Sequence, residues 1–331
     1  MKILVDVMGA DKPENIIIGA LEAEIPASYT VVLYGDKDLI ENTARSVKAK
    51  VKYEIVATDE VISNNESPTL EFRTKKNSSM RRAFEDLNKV DAAGLVSAGS
   101  TGAVLTGGTL MTGRINGIMR PTLCPVLPTL DGSCCLVADA GANVDAKPEW
   151  LVQFALMASI YYTAVYGKEN PRVALLNIGA EEHKGNNLTH TVYPLLREAG
   201  INFIGNVEAR EAFSGYCDIV IADGFDGNVL VKSTEGAVAM VLKLLKNAIS
   251  ESFSAKMGAL LMKGAFKKLK KSMDINNYGG APLLGVKKAI VKTHGASKPG
   301  SVTESVKEIV SMFESGVIKT IDGVINGQQN G

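Results

Sequence analysis

The chain has no surplus of either charge: its 331 residues carry 36 Lys and Arg against 36 Asp and Glu. A net charge of zero supplies no global field to draw in nucleic acid, so any electrostatic partner must be met by a local patch. No stretch reaches the roughly 18 uninterrupted apolar residues of a membrane-crossing helix. The start, MKILVDVMGADKP, interrupts a short apolar run with Asp6 and lacks a small-residue cleavage site, so it does not read as a secretory signal. Cysteine is scarce. Cys124, Cys134, Cys135 and Cys217 lack zinc-ligand spacing, and reduced core thiols of a cytosolic protein are the expectation. The three histidines, in EEHKG, LTHTV and KTHGAS, have no metalloprotease spacing. Neither G-x-G-x-x-G nor G-x-x-x-x-G-K-[ST] occurs, which excludes a dinucleotide fingerprint and a P-loop. No metal-ligand cluster and no cofactor are expected. Asp139, Asp145, Asp223 and Asp226, at acidic strand ends, are the alternative, a magnesium site.

What is present is a globular composition, 46% hydrophobic and 22% charged, that suits one large α/β domain or two smaller ones. Short apolar runs bounded by Gly, Asp or Asn alternate with amphipathic stretches: KILVDVMG, YTVVLYGD, KYEIVA, AAGLVSAG, CCLVADAG, RVALLNIG, NFIGNVE and DIVIADG. That alternation predicts buried strands of a mainly parallel sheet with helices between them. Ligands in such sheets sit beyond the carboxyl ends of the strands, where this chain places Asp6, Ser97, Asp139, Asn177, Asn206 and Asp223. Two segments break the pattern. Residues 128–132 read as a hairpin-like turn with antiparallel pairing. Residues 235–277 contain no strand; Val238, Val241, Leu242, Leu245, Ile249 and Phe253 form one helical stripe, and Met262, Phe266, Leu269 and Met273 a second. With no linker or repeat, the expectation is a single domain over 1–331 carrying an inserted helical hairpin over 235–277.

The turn VSAGSTGAV follows a strand and opens a helix. Free backbone N–H groups at Ser97, Gly99, Ser100, Thr101 and Gly102, with three hydroxyls, suit an anion; a tight strand–helix connection is the other reading. Three further turns are similarly built: DAGANVDAKPEWL with Asn143, LLNIGAEEHKGN with Lys184, and IADGFDGNVLVKSTEG with Asn228 and Lys232. Each alone suits a cap or left-handed turn. Together they describe a polar crevice rich in donors, with no acid–base dyad.

From VDVMGADKP through SAGSTGA, GRINGIMRP, DAGANVDAKPE, LLNIGAEEHKGN, FIGNVEARE, DGFDGNVLVKSTEG and NYGGAPLLGV to HGAS, nearly the whole chain resembles the acyl-carrier-protein:phosphate acyltransferase family of bacterial phospholipid synthesis, the PlsX family. It departs from the family pattern at Ala10, where glycine is usual, and at Ala296, where serine is common. The resemblance implies a three-layer α/β/α sandwich similar to phosphotransacetylases and isocitrate-type dehydrogenases. It also implies a homodimer, and transfer of a long-chain acyl group from acyl carrier protein to inorganic phosphate. Rival readings are a dehydrogenase on that scaffold, requiring a carboxylate cluster, and a binding sensor without turnover. On the resemblance, phosphate occupies the turn Ser97–Gly102, while Lys184, Asn143, Asn228 and Lys232 orient the partners or hold the oxyanion, with His294 as support or as a capping residue.

Two patches suit the implied partners. Arg73, Lys75, Lys76, Arg81 and Arg82 concentrate positive charge where an acidic carrier could dock, or form a solvated helix face. The turn between the two stripes, with Met257, Leu260, Leu261 and Met262 followed by Lys263, Lys267 and Lys268, has the pattern of a surface-bound element on anionic lipid, or of a tip buried in a dimer. The implied location is cytoplasmic and peripherally membrane-associated, with hand-off of acyl phosphate to a membrane glycerol-3-phosphate acyltransferase.

Overall fold

The computed structural model describes residues 1–62, 67–273 and 278–328. Twelve strands follow in chain order: β1 (Lys2–Asp6), β2 (Thr30–Gly35), β3 (Lys52–Ala57), β4 (Ala92–Ser97), β5 (Thr122–Leu123), β6 (Val126–Pro128), β7 (Cys134–Ala138), β8 (Val173–Asn177), β9 (Phe203–Glu208), β10 (Ile219–Ile221), β11 (Ala281–Leu284) and β12 (Ala289–Lys292). All eight apolar runs named above form strands. They build two sheets rather than the one expected: a seven-stranded sheet in the order β3-β2-β1-β4-β12-β11-β5 and a five-stranded one in the order β6-β7-β10-β8-β9. Strands β3 to β12 of the first sheet run parallel, and β11 is antiparallel to both β12 and β5. The second is parallel except for β6 against β7, the pairing expected around 128–132.

The sheets are sewn together where β5 leads into β6. Cys124 N donates to Pro282 O (3.0 Å), Ala140 N to Leu123 O (2.9 Å), and Val137 N to Pro125 O (3.0 Å). Prolines 125 and 128 suit this edge, since they lack the N–H a central strand needs. The largest apolar cluster contains residues of both sheets, including Val5, Val96 and Val291 from one and Leu136, Leu175 and Ile219 from the other. Full burial of each such side chain contributes about 1.5–3 kcal/mol.

Helices α1 (Pro13–Leu21), α2 (Lys37–Arg45), α3 (Pro68–Thr74), α4 (Ser79–Lys89), α5 (Thr101–Gly107), α6 (Pro148–Tyr166) and α7 (Asn187–Glu198) separate the strands, and α11 (Pro299–Glu314) and α12 (Val317–Gln328) close the chain. A π-helical segment, Gly108–Thr112, extends α5. Helices α8 (Gly224–Glu251), α9 (Phe253–Leu261) and α10 (Lys263–Ser272) intervene between β10 and β11.

This last group departs from the expected hairpin. Its reversal was expected between the stripes, around Met257–Met262; α8 instead ends at Glu251, and Met257, Leu260 and Leu261 lie in a separate helix, α9. Ser252 has extended backbone (φ −133°, ψ 151°) and its Oγ accepts Ala255 N at 3.1 Å, an N-cap that starts a new helix. Residues 257–261 offer no such stop, because Met, Ala and Leu all favour helix. Met262 marks a second break, before α10. The last residues of the expected hairpin, 274–277, lie outside the described residues.

Candidate active site

Strands β1, β4 and β12 lie side by side, so their carboxyl-end turns converge. Asp6 pairs in register with Ser97, and Ser97 with Lys292. Gly9 has φ 77°, and a Cβ there would stand 3.2 Å from Gly99 Cα, so the first turn needs glycine for both conformation and approach. Ala10 is not among the positive-φ residues, so its methyl group imposes no backbone strain.

Under these turns lies a buried polar cluster. Asp6 accepts Ser79 Oγ at 2.6 Å, Ser97 Oγ at 2.7 Å and Met8 N at 3.3 Å. Burial nevertheless pushes its carboxyl up to about 6. Ser97 is therefore no phosphate donor through its hydroxyl, contrary to expectation: the proton is given to Asp6 and the oxygen accepts Gly99 N at 3.2 Å. Ser100 caps α5, its Oγ accepting Ala103 N at 3.1 Å. Thr101 is half-buried and Gly102 exposed at the helix start.

The second sheet contributes the facing turns. Asp139, at the end of β7, is buried and accepts Asn143 N at 2.6 Å, Asn143 Nδ2 at 2.9 Å, Ala142 N at 3.1 Å and Leu123 N at 2.9 Å. Burial still raises its pKa. Asn143 is corrected from catalytic amide to scaffold: it is buried, and its amide hydrogens go to Asp139 and to Pro121 O at 2.8 Å. Gly224 N donates to Asn143 O at 2.7 Å, and a Cβ on Gly227 would meet Asp139 O at 1.9 Å. Two close approaches thus seat α8 on the end of β7.

Asn228 then falls against the DAGAN turn, its side-chain amide 3.8 Å from where a Cβ on Gly141 would stand. Lys232 is exposed one turn further along α8. Lys184 is half-buried; its Cγ would lie 2.9 Å from a Cβ on Gly179, and its carbonyl accepts Asn177 Nδ2 at 2.9 Å. Asn206 Nδ2 holds the same loop through Glu181 O at 2.9 Å. His294 is exposed on the β12 turn, with Nδ1 accepting Ala296 N at 3.1 Å, which is a capping geometry.

The two sets of turns meet in a narrow cleft lined by Thr101, Val104 and Leu105 of α5, Leu123, Leu283, Ala142 and Lys292. Lys292 was not singled out from the sequence; an apolar run AIV ending in Lys before THGAS is the signal that marks it. Burial pulls its ammonium down to about 8, with Asp6 acting in the opposite direction. In the segments that follow β7, β8 and β10 of the second sheet, Val144, Ile178 and Phe225 expose apolar side chains. Among the described residues, no group of three or more His, Cys, Asp or Glu is placed to hold a metal ion.

The basic patch divides. Lys75 donates to Glu71 (3.0 Å) and Val61 O (2.9 Å), and Arg81 to Glu85 (3.1 Å) and the Phe72 carbonyl, so neither is free for a partner as expected. Half-buried Arg82 reaches Asn77 Oδ1 at 3.3 Å. Arg73 and Lys76 are exposed. Further along, Met257, Leu260, Leu261, Met262, Lys263 and Lys267 are all exposed.

The family model described as "Fatty acid synthesis protein" matches residues 1–320. A phosphate acyltransferase of Clostridioides difficile is 42% identical over 328 residues, covering 98% of this chain and 96% of the relative. One of Brevibacillus brevis is 44% identical over 325 residues, covering 97% and 96%. Among solved structures, a phosphotransacetylase from Streptococcus pyogenes aligns with a TM-score of 0.59 at 14% identity, over 96% of this chain and 94% of that one. A branched-chain phosphotransacylase from Enterococcus faecalis V583 aligns at 0.55 and 14%, over 95% and 99%. At such identities the likeness concerns the α/β fold alone.

Proposed function

The chain belongs to the fatty acid synthesis protein family, as a phosphate acyltransferase, and we propose that its donor is a long-chain acyl thioester of acyl carrier protein and its acceptor inorganic phosphate. The observation that carries the reading is the cleft between the sheets, where the turn Ser97–Gly102 and the DAGAN turn come together without a nucleophile–base pair. Phosphate needs none, because it is already an anion near neutral pH. One of its oxygens attacks the thioester carbonyl; the tetrahedral oxyanion collapses, the C–S bond breaks, and the thiolate leaves to take a proton from solvent. With a reference pKa of ~8.5 the thiolate requires little protonic help.

The chain's part is then orientation and charge. Backbone N–H groups of Ser100 to Gly102 and the Thr101 hydroxyl receive phosphate, while Lys184, Asn228 and Lys232 face the oxyanion or the donor. A well-placed donor is worth ~3–4 kcal/mol in the transition state. The exposed apolar side chains of Val144, Ile178 and Phe225 support an acyl donor, and exposed Arg73 and Lys76 support an acidic carrier. The same reading includes a homodimer formed through α8, and an α9–α10 end that rests on anionic membrane and hands acyl phosphate to a membrane glycerol-3-phosphate acyltransferase. Supporting it, no residue of α8 beyond Val231 is buried, and none of α9 is.

The test mixes protein, acyl-carrier thioester and phosphate and traps product with hydroxylamine. Phosphate-dependent hydroxamate with release of free carrier thiol is expected; hydroxamate that does not depend on phosphate overturns the assignment.

A further inference from the structure

Lys292 is a charge placed where burial opposes it. Register sets Asp6, Ser97 and Lys292 at the ends of three adjacent parallel strands, on one face of the sheet. Asp6 and Ser97 are bonded at 2.7 Å, and Ser79 of α4 covers the other Asp6 oxygen at 2.6 Å. Asp6 is thus provided with donors and does not depend on the lysine. Lys292 Nζ donates to the carbonyl of Thr293 and has no carboxylate ion pair among the described residues. A buried ammonium with one carbonyl partner is costly to maintain unless an anion completes its shell. The gap that Lys292 lines with Thr101 and Ala142 is where both sets of turns meet, and it must widen to admit an anion, since it holds no space for a water.

We propose that Lys292 is a catalytic residue, its ammonium binding the acceptor phosphate beside Thr101 in the cleft between the two sheets. The assignment rests on the acyl transfer proposed above. It also supplies what the turn alone lacks, a full positive charge for a dianion. Asp6 on β1 is the charged group acting on Lys292; Ser97 on β4, Ser79 on α4 and Thr101 on α5 present only hydroxyls. In the free protein the lysine loses its proton near pH 8. Bound phosphate favours the protonated form, so phosphate affinity is greatest below that pH and falls as pH rises through it.

The test titrates inorganic phosphate calorimetrically into the full chain and measures KM for both substrates from pH 7 to 10. Lys292→Met should raise phosphate Kd and KM by about 10- to 100-fold, as for loss of a charged hydrogen-bond partner. Acyl-donor KM should stay within about twofold, and the alkaline weakening near pH 8 should disappear. Lys292→Arg should recover part of the affinity and remove the alkaline limb, because guanidinium stays protonated. A normally melting Lys292→Met with unchanged phosphate Kd overturns the proposal. So does recovery of phosphate affinity when Asp6→Asn is added to Lys292→Met, which would make the lysine only a counter-ion. If Lys292→Met does not fold, a limb near pH 8 persisting in Lys292→Arg overturns it equally. Wild-type protein that forms no hydroxamate refutes the acyl transfer, and the phosphate titration still judges Lys292.

Discussion

Asn143 lies in a turn and Asn228 in the first part of α8, yet both come from Gly/Asn stretches that look alike in sequence, and the difference between them lies in where their amide hydrogens go. Both Asn143 hydrogens are spent on Asp139 and Pro121, whereas Asn228 lies against Gly141 with no bond among the described residues. Composition cannot separate the two, because a turn-forming amide and a ligand-facing amide are the same residue until partners are assigned. Ser97 illustrates the same limit, its hydroxyl being taken by Asp6 on the adjacent strand β1, 91 residues earlier, rather than by anything near it in sequence. Lys184 is half-buried, lies over Gly179, and makes no ion pair among the described residues, which leaves its ammonium available for the proposed role. Lys184→Ala should therefore lower kcat by ~10²-fold, as for a lost electrostatic donor, while the melting temperature hardly moves. Steady-state kinetics with thermal melts check this, and near-native turnover in a folded variant removes the role.

At the scale of elements, what was legible followed mostly from burial. Strands such as AAGLVS of β4, buried at every position, read as continuous apolar runs, while β3, legible as well, is exposed or half-buried along its length. Strands β5, β11 and β12, two to four residues each, were not legible as strands, and they extend the first sheet beyond β4. Because Lys292 ends one of these short strands, the site reading missed it too. The basic patch shows the converse, a charge run that sequence spacing marks but cannot apportion. Helix α4 turns Arg81 back onto Glu85 and the Phe72 carbonyl, and α3 pairs Lys75 with Glu71 four residues before it. On the proposed reading, docking falls to Arg73 and Lys76, which are left outward. Their double replacement by Glu should raise the carrier KM about tenfold and flatten its salt dependence, with phosphate KM unchanged. An unchanged carrier KM in kinetics across a salt series would place the carrier elsewhere.

The whole molecule leaves two separate apolar surfaces uncovered on α8 to α10. One runs along α8, where Met240, Val241 and Leu244 are 58%, 53% and 60% exposed. The other lies on α9 and its junction with α10, where Leu260 is 62% exposed, Leu261 87% and Met262 53%, followed by exposed Lys263 and Lys267. The two have different chemistry. The α8 surface carries its apolar residues three and four apart, which suits packing on the same helix of a second copy about a two-fold axis. The α9–α10 surface joins apolar side chains to a basic flank, which suits anionic headgroups and gives lysine attraction that salt screens. No helix among the described residues is long and apolar enough to cross a membrane, so the membrane contact proposed above is a lateral one. A long-chain acyl phosphate is insoluble in water, so release at a lipid surface favours its capture. Sedimentation separates the roles. Met240→Glu with Leu244→Glu should give a monomer in ultracentrifugation. Leu260→Glu with Leu261→Glu should remain dimeric, keep soluble turnover, and lose cosedimentation with phosphatidylglycerol vesicles. Loss of the dimer in that second variant would make the α9 end part of the subunit interface, and unchanged vesicle binding would move the lipid contact to another face.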